Sequence, residues 1–193
     1  MSPSFFFDYF PERRVESHPH HHCLESKNSM ADTRFVDNGD DTITDTLTHL
    51  MWMKNDSYLN LQKFVTYPVA LKYLNKINTE QFAGHSDWRL PHKKEAHSLF
   101  DKEKSLRDKY DMDIHIDPIF APGCGYDTWT SNTRGKITAY AYSFNSGQGG
   151  HKEVEDRLNT SVRLVRGEFD TSRIKLEKIT EVRDRITQGG GWR

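Results

Sequence analysis

The sequence predicts an α+β fold in a single domain, because segments with the two-residue period of β-strands flank two segments with the period of helices. The strand-like patterns lie at residues 34–45 and 137–144, and the helical patterns follow Pro68 and Pro91 between them. The chain has 193 residues, which allows one domain of ordinary size with tails. Hydrophobic residues make up 35% and aromatic residues 12%, so we expect a small core rich in rings.

Residues 1–32 carry no periodic pattern, and we interpret them as a flexible N-terminal tail. The tail includes a His-rich tract, 18–23, that ends in Cys23. Imidazole and thiolate are metal ligands, but ligands crowded into a flexible segment rarely close a site, so no metal and no other cofactor is predicted. Patterned sequence begins just after Met30, and the functional unit could start there.

Residues 34–45 predict a β-hairpin, because the turn at 38–40 consists of Asn, Gly and Asp, which tolerate positive φ. The same acidic stretch departs from a calcium-binding loop, since Thr48 stands where the twelfth position needs Glu. The apolar segment that follows is centred on Trp52, which we expect in the core.

Both helices should lie on the core. Pro68 can begin the first of them, and Pro91 leads into the second, in which His92 and His97 are interpreted as solvated. The residues predicted to face the core are Val69, Ala70, Tyr73, Leu74 and Ile77 in the first helix, and Ala96, Leu99 and Phe100 in the second.

Two further strands are predicted after the helices. In 137–144 the rings of Tyr140, Tyr142 and Phe144 alternate with small or aliphatic residues and should share one face. Residues 161–166 indicate a final strand, with Val162 and Leu164 facing opposite to Arg163 and Val165.

Residues 169–193 predict a helical extension with an apolar stripe on one side. Such a short helix is not stable alone in water, so the stripe should pair with a second copy, dock on another protein or fold back over the domain. A homo-oligomer and the fold-back arrangement are both open at this point. The stripe consists of Ile174, Leu176, Ile179, Val182 and Ile186.

Four motifs in a fixed order carry a resemblance to a known family, and they span about residues 34–167. They are Arg34–Asp40 running to Leu50-Met51-Trp52, then Ser86–Pro91, Trp129–Ser131 and Val162–Gly167. The sequence resembles the C-terminal domain of the Legionella collagen-like adhesin. The resemblance implies a C-type-lectin-like domain at 33–168, distantly similar to formylglycine-generating enzymes. It also implies two helices packed on short, mostly antiparallel sheets, with the first and last strands paired.

The sequence departs from the family pattern in two places. Asp41 stands where the family usually has a second turn glycine, although the turn should still form. Leu74 and Leu164 stand where family members commonly carry a cysteine pair. The family's disulfide is therefore missing, and apolar packing between the two leucines is its expected replacement. This agrees with a reducing compartment.

Composition and motifs favour binding over catalysis. A formal net charge of −1 argues against nucleic acid as a partner, and no apolar run approaches the length of a membrane span. Cys124 lies in a Gly-Pro loop with no His placed beside it, so an inert thiol is favoured. We predict a bacterial binding or assembly module that recognises a protein or a glycan. We expect it in the cytoplasm because no signal peptide is seen, and an extracellular place as part of an assembly is the alternative. The alternatives are a thiol- or metal-dependent enzyme related to formylglycine-generating enzymes and an adhesin-like binder of sulfated polysaccharide.

The resemblance places the segment around Trp129 near the loop-rich side of the fold, where rings beside amides and guanidinium suit glycan or peptide recognition. The candidate ligand-binding residues are Tyr126, Trp129, Asn132 and Arg134, with Trp129 as a core residue the alternative. Arg89 should bond backbone carbonyls or a carboxylate such as Asp87 or Asp45. The residues predicted to be structural are Trp52, Leu74, Trp88, Arg89, Pro91 and Leu164.

Overall fold

The computed structural model describes residues 33–182, and its secondary structure confirms the α+β class. The predicted tail lies outside the described residues, and the boundaries at 32 and 168 stay a prediction. The helices are α1 (Ser57–Leu61), α2 (Tyr67–Thr79) and α3 (Lys93–Ser98). The strands are β1 (Phe35–Asp37), β2 (Thr42–Asp45), β3 (Leu50–Met53), β4 (Leu106–Arg107), β5 (Asp113–Ile114), β6 (Asp127–Arg134), β7 (Thr138–Ser143), β8 (Gln148–Glu153), β9 (Thr160–Ser161), β10 (Val165–Arg166) and β11 (Thr180–Glu181).

The strands form two main sheets and a short ribbon. One sheet has four antiparallel strands in the order β1-β2-β3-β10, and the other has five in the order β11-β8-β7-β6-β9. Strands β4 and β5 pair only with each other among the described residues. The five-stranded sheet is antiparallel in its centre, and its two outer pairs, β11 with β8 and β6 with β9, are parallel.

The predicted hairpin is confirmed as β1 and β2, joined by a turn in which Asn38 N donates to Thr42 O over 3.0 Å. Gly39 has a φ of 79° and Asp41 a φ of 63°. Aspartate is among the few residues besides glycine that enter this left-handed region at moderate cost. The turn therefore forms without the second glycine of the family pattern, as predicted.

The first predicted helix is confirmed as α2. Thr66 caps it by accepting from the backbone N–H of Val69, and Pro68 occupies its first turn. Ala70, Tyr73 and Ile77 are buried along one face, as the spacing predicts. Leu74 is half-buried and packs against the same group of buried residues.

The second predicted helix is confirmed as the short helix α3, which buries Ala96. His92 caps its N-terminus by accepting from Lys94 N. The interpretation of His97 as solvated is wrong, because its Nδ1 lies 2.8 Å from the Tyr142 hydroxyl and the ring is partly buried. Desolvation lowers the pKa of His97 below its ordinary value, so the neutral form is favoured there.

Strand β7 divides the core into two clusters. Tyr140, Tyr142 and Phe144 belong to one cluster with Trp52, here called the Trp52 cluster. The alanines on the opposite face of β7 belong to a second cluster with Trp129 and Leu164, here called the Trp129 cluster. The predicted alternation is confirmed, and both faces of this strand are buried.

The predicted single strand at 161–166 is wrong, because the chain crosses between the sheets in that segment. β9 pairs with β6 in the five-stranded sheet, whereas β10 pairs with β3 in the four-stranded sheet. The four residues 162–165 are all buried, since both clusters surround the crossing. The last strand of this sheet lies beside β3 and not beside β1, so the implied pairing of first and last strands is also wrong.

Arg163 holds the crossing in place. Its side chain is buried, and its guanidinium donates to the backbone carbonyls of Met53, over 3.0 Å, and Lys54. The same group lies 4.7 Å from the centre of the Phe120 ring. The alternating pattern of the sequence could not reveal this arrangement, because a charged side chain is expected to face solvent and not to lie in the core.

The predicted C-terminal helix is wrong for residues 169–182, which follow the domain surface in an extended path. Phe169 and Ile179 pack against the Trp52 cluster, and β11 adds to the edge of β8. Val182 N donates to Gly149 O over 2.8 Å. Contacts with the domain therefore replace the helical hydrogen bonds, as the fold-back alternative requires. Ile186 lies outside the described residues.

We expect a truncation ending at Phe169 to be less stable than the full chain by about 1–3 kcal/mol, because it loses the burial of Ile179 and the pairing of β11. Urea denaturation of both chains measures this difference, and light scattering reports their masses. Equal stability, together with a dimeric full chain and a monomeric truncation, would contradict this expectation and support self-association through the segment.

Candidate functional site

A groove of about 810 Å³ lies on the face of the five-stranded sheet that carries Ala141. We call it the sheet groove. Strands β6, β7 and β8 form its floor, the segment 155–159 forms one wall, and Val182 borders it. Its volume lies within the range of small-molecule binding sites, about 300–1,000 Å³.

An ion pair fixes the floor of the sheet groove. Lys152 Nζ donates to Asp127 Oδ2 over 2.6 Å and to Thr160 Oγ1 over 3.1 Å, and Asp156 Oδ2 lies 4.0 Å away. This contact links β8 to β6 and β9 across β7. Asp127 is 7% exposed, and its second oxygen has no hydrogen-bond partner among the described residues. The ion pair therefore ties the strands of the floor together and neutralises the charges of Lys152 and Asp127.

Tyr126 stands beside this ion pair on the wall of the groove. Burial, with the nearby Asp127 carboxylate, raises the pKa of Tyr126 to about 12. Its phenol therefore keeps its proton at neutral pH and can donate a hydrogen bond to a ligand. The ring centre lies 6.5 Å from that of Tyr110.

Two side-chain amides in the sheet groove are free to bind a ligand. Gln148 and Asn159 both line it, and neither side chain makes a hydrogen bond to another residue of the described part of the chain. Each amide offers both donors and an acceptor. The groove can therefore satisfy hydroxyl or amide groups of a ligand without breaking existing bonds.

A second hollow of about 620 Å³, here called the aromatic groove, adjoins the first. Tyr58, Phe64 and Tyr110 line it, and the Phe64 and Tyr110 rings stack at 6.1 Å with an interplanar angle of 24°. Lys109 Nζ lies 4.7 Å from the Tyr58 ring centre. Glu155 and Arg157 line both grooves.

The structure places one of the four predicted ligand-binding residues, Tyr126, in the sheet groove. Trp129 is fully buried and its Nε1 donates to Val65 O over 2.8 Å, so its ring fills the core and cannot reach a ligand. Asn132 Oδ1 accepts from Lys93 N over 2.8 Å and holds the start of α3. Arg134 ends β6, about 25 Å along the strand from Tyr126, so the four residues do not form one site.

Most of the residues predicted to be structural are buried. Trp52, Trp88, Pro91 and Leu164 are buried, and Trp88 Nε1 donates to Phe82 O over 3.0 Å. The prediction that Arg89 bonds backbone carbonyls or a carboxylate is confirmed in kind: its two terminal nitrogens donate to the Glu95 carboxylate over 2.7 and 2.8 Å, and Nη2 also donates to Gly167 O over 2.8 Å. The carboxylates predicted for it are engaged elsewhere, Asp87 by Arg166 and Asp45 by Arg34.

The enzyme alternative requires a reactive thiol or a metal site. Cys124 is a free, fully buried thiol, and burial raises its pKa to about 11, which disfavours the reactive thiolate. Within 33–182, no three side chains of His, Cys, Asp or Glu are grouped so as to hold a metal ion.

Sequence reasoning missed most residues of the sheet groove, including Gln148, Lys152 and Asn159. One signal could have pointed to them, because Gly149 and Gly150 are consecutive within a strand and such glycines mark a close approach. A Cβ on Gly150, which pairs with Ala141 on the groove face, would lie 3.2 Å from Val182 O, whereas a Cβ on Gly149 would lie on the opposite face, 2.0 Å from the Tyr140 hydroxyl oxygen.

A family model described as the Lcl C-terminal domain matches residues 41–166, which is well over half of the chain. No curated protein and no solved structure matches the chain significantly. The C-type-lectin-like architecture and the similarity to formylglycine-generating enzymes therefore stay predictions.

Proposed function

Because the chain belongs to the Lcl C-terminal domain family, we propose that it is a non-enzymatic, adhesin-related module of bacterial type that binds a protein or glycan ligand. The sheet groove is the proposed binding site. The observation that carries this assignment is the ion pair of Asp127 and Lys152 across the floor, together with the unengaged amides of Gln148 and Asn159 in the same groove. The hydrogen-bonded sheet loses little backbone entropy on binding, so the entropic cost of ordering is confined to the side chains that bind the ligand.

Membership of this family favours a surface or extracellular setting over the cytoplasmic one predicted from the sequence. Among residues 33–182, no helix combines the length and the hydrophobicity that crossing a membrane would require. A buried free thiol is compatible with either setting, since burial itself protects it from oxidation.

The binding site can be tested by filling the sheet groove. Ser146 is exposed on its rim, so Ser146→Trp should leave the fold intact and obstruct the groove. We expect the full chain to bind specific spots on a combined glycan and protein array, and the variant to lose at least about tenfold in affinity for them. The matched control is Lys136→Trp, an exposed position between β6 and β7 that borders neither groove. Undiminished binding by Ser146→Trp would rule out the groove.

The enzyme alternative is less well supported, because Cys124 is inaccessible and its pKa is raised. Metal analysis of the untagged full chain and thiol labelling of the folded protein test it, with Cys124→Ala as the reference. Stoichiometric copper that disappears in Cys124→Ala would overturn the non-enzymatic assignment.

A further inference from the structure

The two grooves form one continuous surface. Glu155 and Arg157 line both of them, and the ring of Tyr126 in the sheet groove lies 6.5 Å from that of Tyr110 in the aromatic groove. The Tyr110 ring in turn stacks on Phe64. Three rings thus run from one groove into the next and form what we call the aromatic shelf, Phe64, Tyr110 and Tyr126.

The turn that carries Tyr110 is held firmly. Asp108 is 4% exposed, and its Oδ1 accepts from the backbone N–H groups of Tyr110 and Met112 over 2.8 and 2.9 Å. Lys109 N donates to Cys124 O over 2.9 Å. A tyrosine that is 49% exposed on so constrained a turn presents its ring without a large entropic cost of ordering.

The charges that line the two grooves balance. Among the described residues, four acidic and four basic side chains line the two grooves, so their formal charges cancel. An uncharged ligand is therefore favoured over a polyanion or a polycation. The acidic residues are Asp127, Glu153, Glu155 and Asp156, and the basic residues are Lys63, Lys109, Lys152 and Arg157.

The position of the grooves also bears on the ligand. They lie on a sheet face and the neighbouring loops, and β11 covers part of the outer edge of β8, where an added peptide strand would pair. The groups available to a ligand in the grooves are side-chain amides and the faces of aromatic rings. Rings pack against the apolar face of a pyranose, and amides exchange hydrogen bonds with its hydroxyls.

From these observations we infer that the two grooves and the aromatic shelf are one extended site for a linear, uncharged oligosaccharide. The inference rests on the proposed function and names its ligand class. Sugar units stack along Phe64, Tyr110 and Tyr126, and Gln148 and Asn159 bind their hydroxyls. A ligand long enough to reach both grooves makes more of these contacts than a short one.

The test uses the full chain and unsulfated glucose oligomers, from disaccharide to hexasaccharide, in α-1,4 and β-1,4 linkage. Titration calorimetry should show an affinity that rises at least about tenfold with chain length in one linkage series. Tyr110→Ala should weaken hexasaccharide binding about tenfold, and Tyr110→Phe should retain it, because the ring supplies the contact. Met112→Ala, at an exposed residue of the same turn that borders neither groove, should bind as the unmodified chain does.

Three results would overturn the inference. The first is a hexasaccharide that binds no better than a disaccharide in either linkage. The second is stronger binding of sulfated than of unsulfated oligomers at physiological salt, which would show that charge dominates. The third is binding of a protein on the array that Ser146→Trp abolishes, with no binding of any neutral oligomer. That third result would leave the proposed function standing and remove only the sugar.

Discussion

Replacing Arg163 by methionine should lower the free energy of unfolding by about 3–5 kcal/mol, because the guanidinium is a buried donor to two backbone carbonyls. Methionine matches the length of the side chain but donates no hydrogen bond, so the carbonyls of Met53 and Lys54 would lose a partner. Urea denaturation with an unchanged m-value would measure the loss as a change in stability alone.

Arg166→Met is the matched control. Arg166 lies three residues further along the same chain segment and pairs with Asp87, whose side chain is 60% exposed. A pair open to solvent contributes about 0–1 kcal/mol, so this variant should unfold close to the unmodified chain. If the two variants lost equal stability, the crossing at 162–165 would not depend on the buried guanidinium.

The elements that sequence predicted well are those in which one period repeats over enough residues. Helix α2 shows three buried positions at helical spacing behind a Thr cap and Pro68, and β7 alternates rings with small residues. The hairpin of β1 and β2 depends on turn residues whose backbone preference is local. In each of these cases local and tertiary preferences agree.

The secondary-structure predictions failed where tertiary contacts, and not local sequence preferences, determine the path of the backbone. Residues 169–182 carry apolar side chains at spacings that suit a helix, but an extended chain uses Phe169 and Ile179 separately as contacts with the Trp52 cluster. The crossing at 162–165 is too short to show a period, and it buries an arginine whose partners are 110 and 109 residues away in the sequence.

The candidate site was largely unpredictable for a similar reason. The sheet groove joins Tyr126 and Asp127 to residues 148–159, which are remote in sequence and become neighbours only through the pairing of β6, β7 and β8. Trp129 was a candidate because of its aromatic ring. A sequence does not show which face of a strand is covered by other elements of the fold. The pair of glycines in β8 was the local signal, and its meaning depends on Val182, which borders the groove beside Gly150, and on Tyr140, which packs beside Gly149 on the opposite face.

The last expected result concerns Leu74 and Leu164, the two leucines that the sequence resemblance predicts at the positions of a cysteine pair. Leu164 is fully buried, and both Leu164 and the half-buried Leu74 belong to the Trp129 cluster, so the apolar replacement is consistent with the packing. Leu164→Ala should cost about 2–5 kcal/mol, since it removes buried methyl groups and leaves a cavity. A reducing agent should leave the melting temperature of the unmodified chain unchanged, because Cys124 is free.

Leu158→Ala, at a residue that is 72% exposed, is the control and should change stability by less than about 0.5 kcal/mol. Similar small losses for both variants would show that Leu164 does not close the core at the position of the missing disulfide.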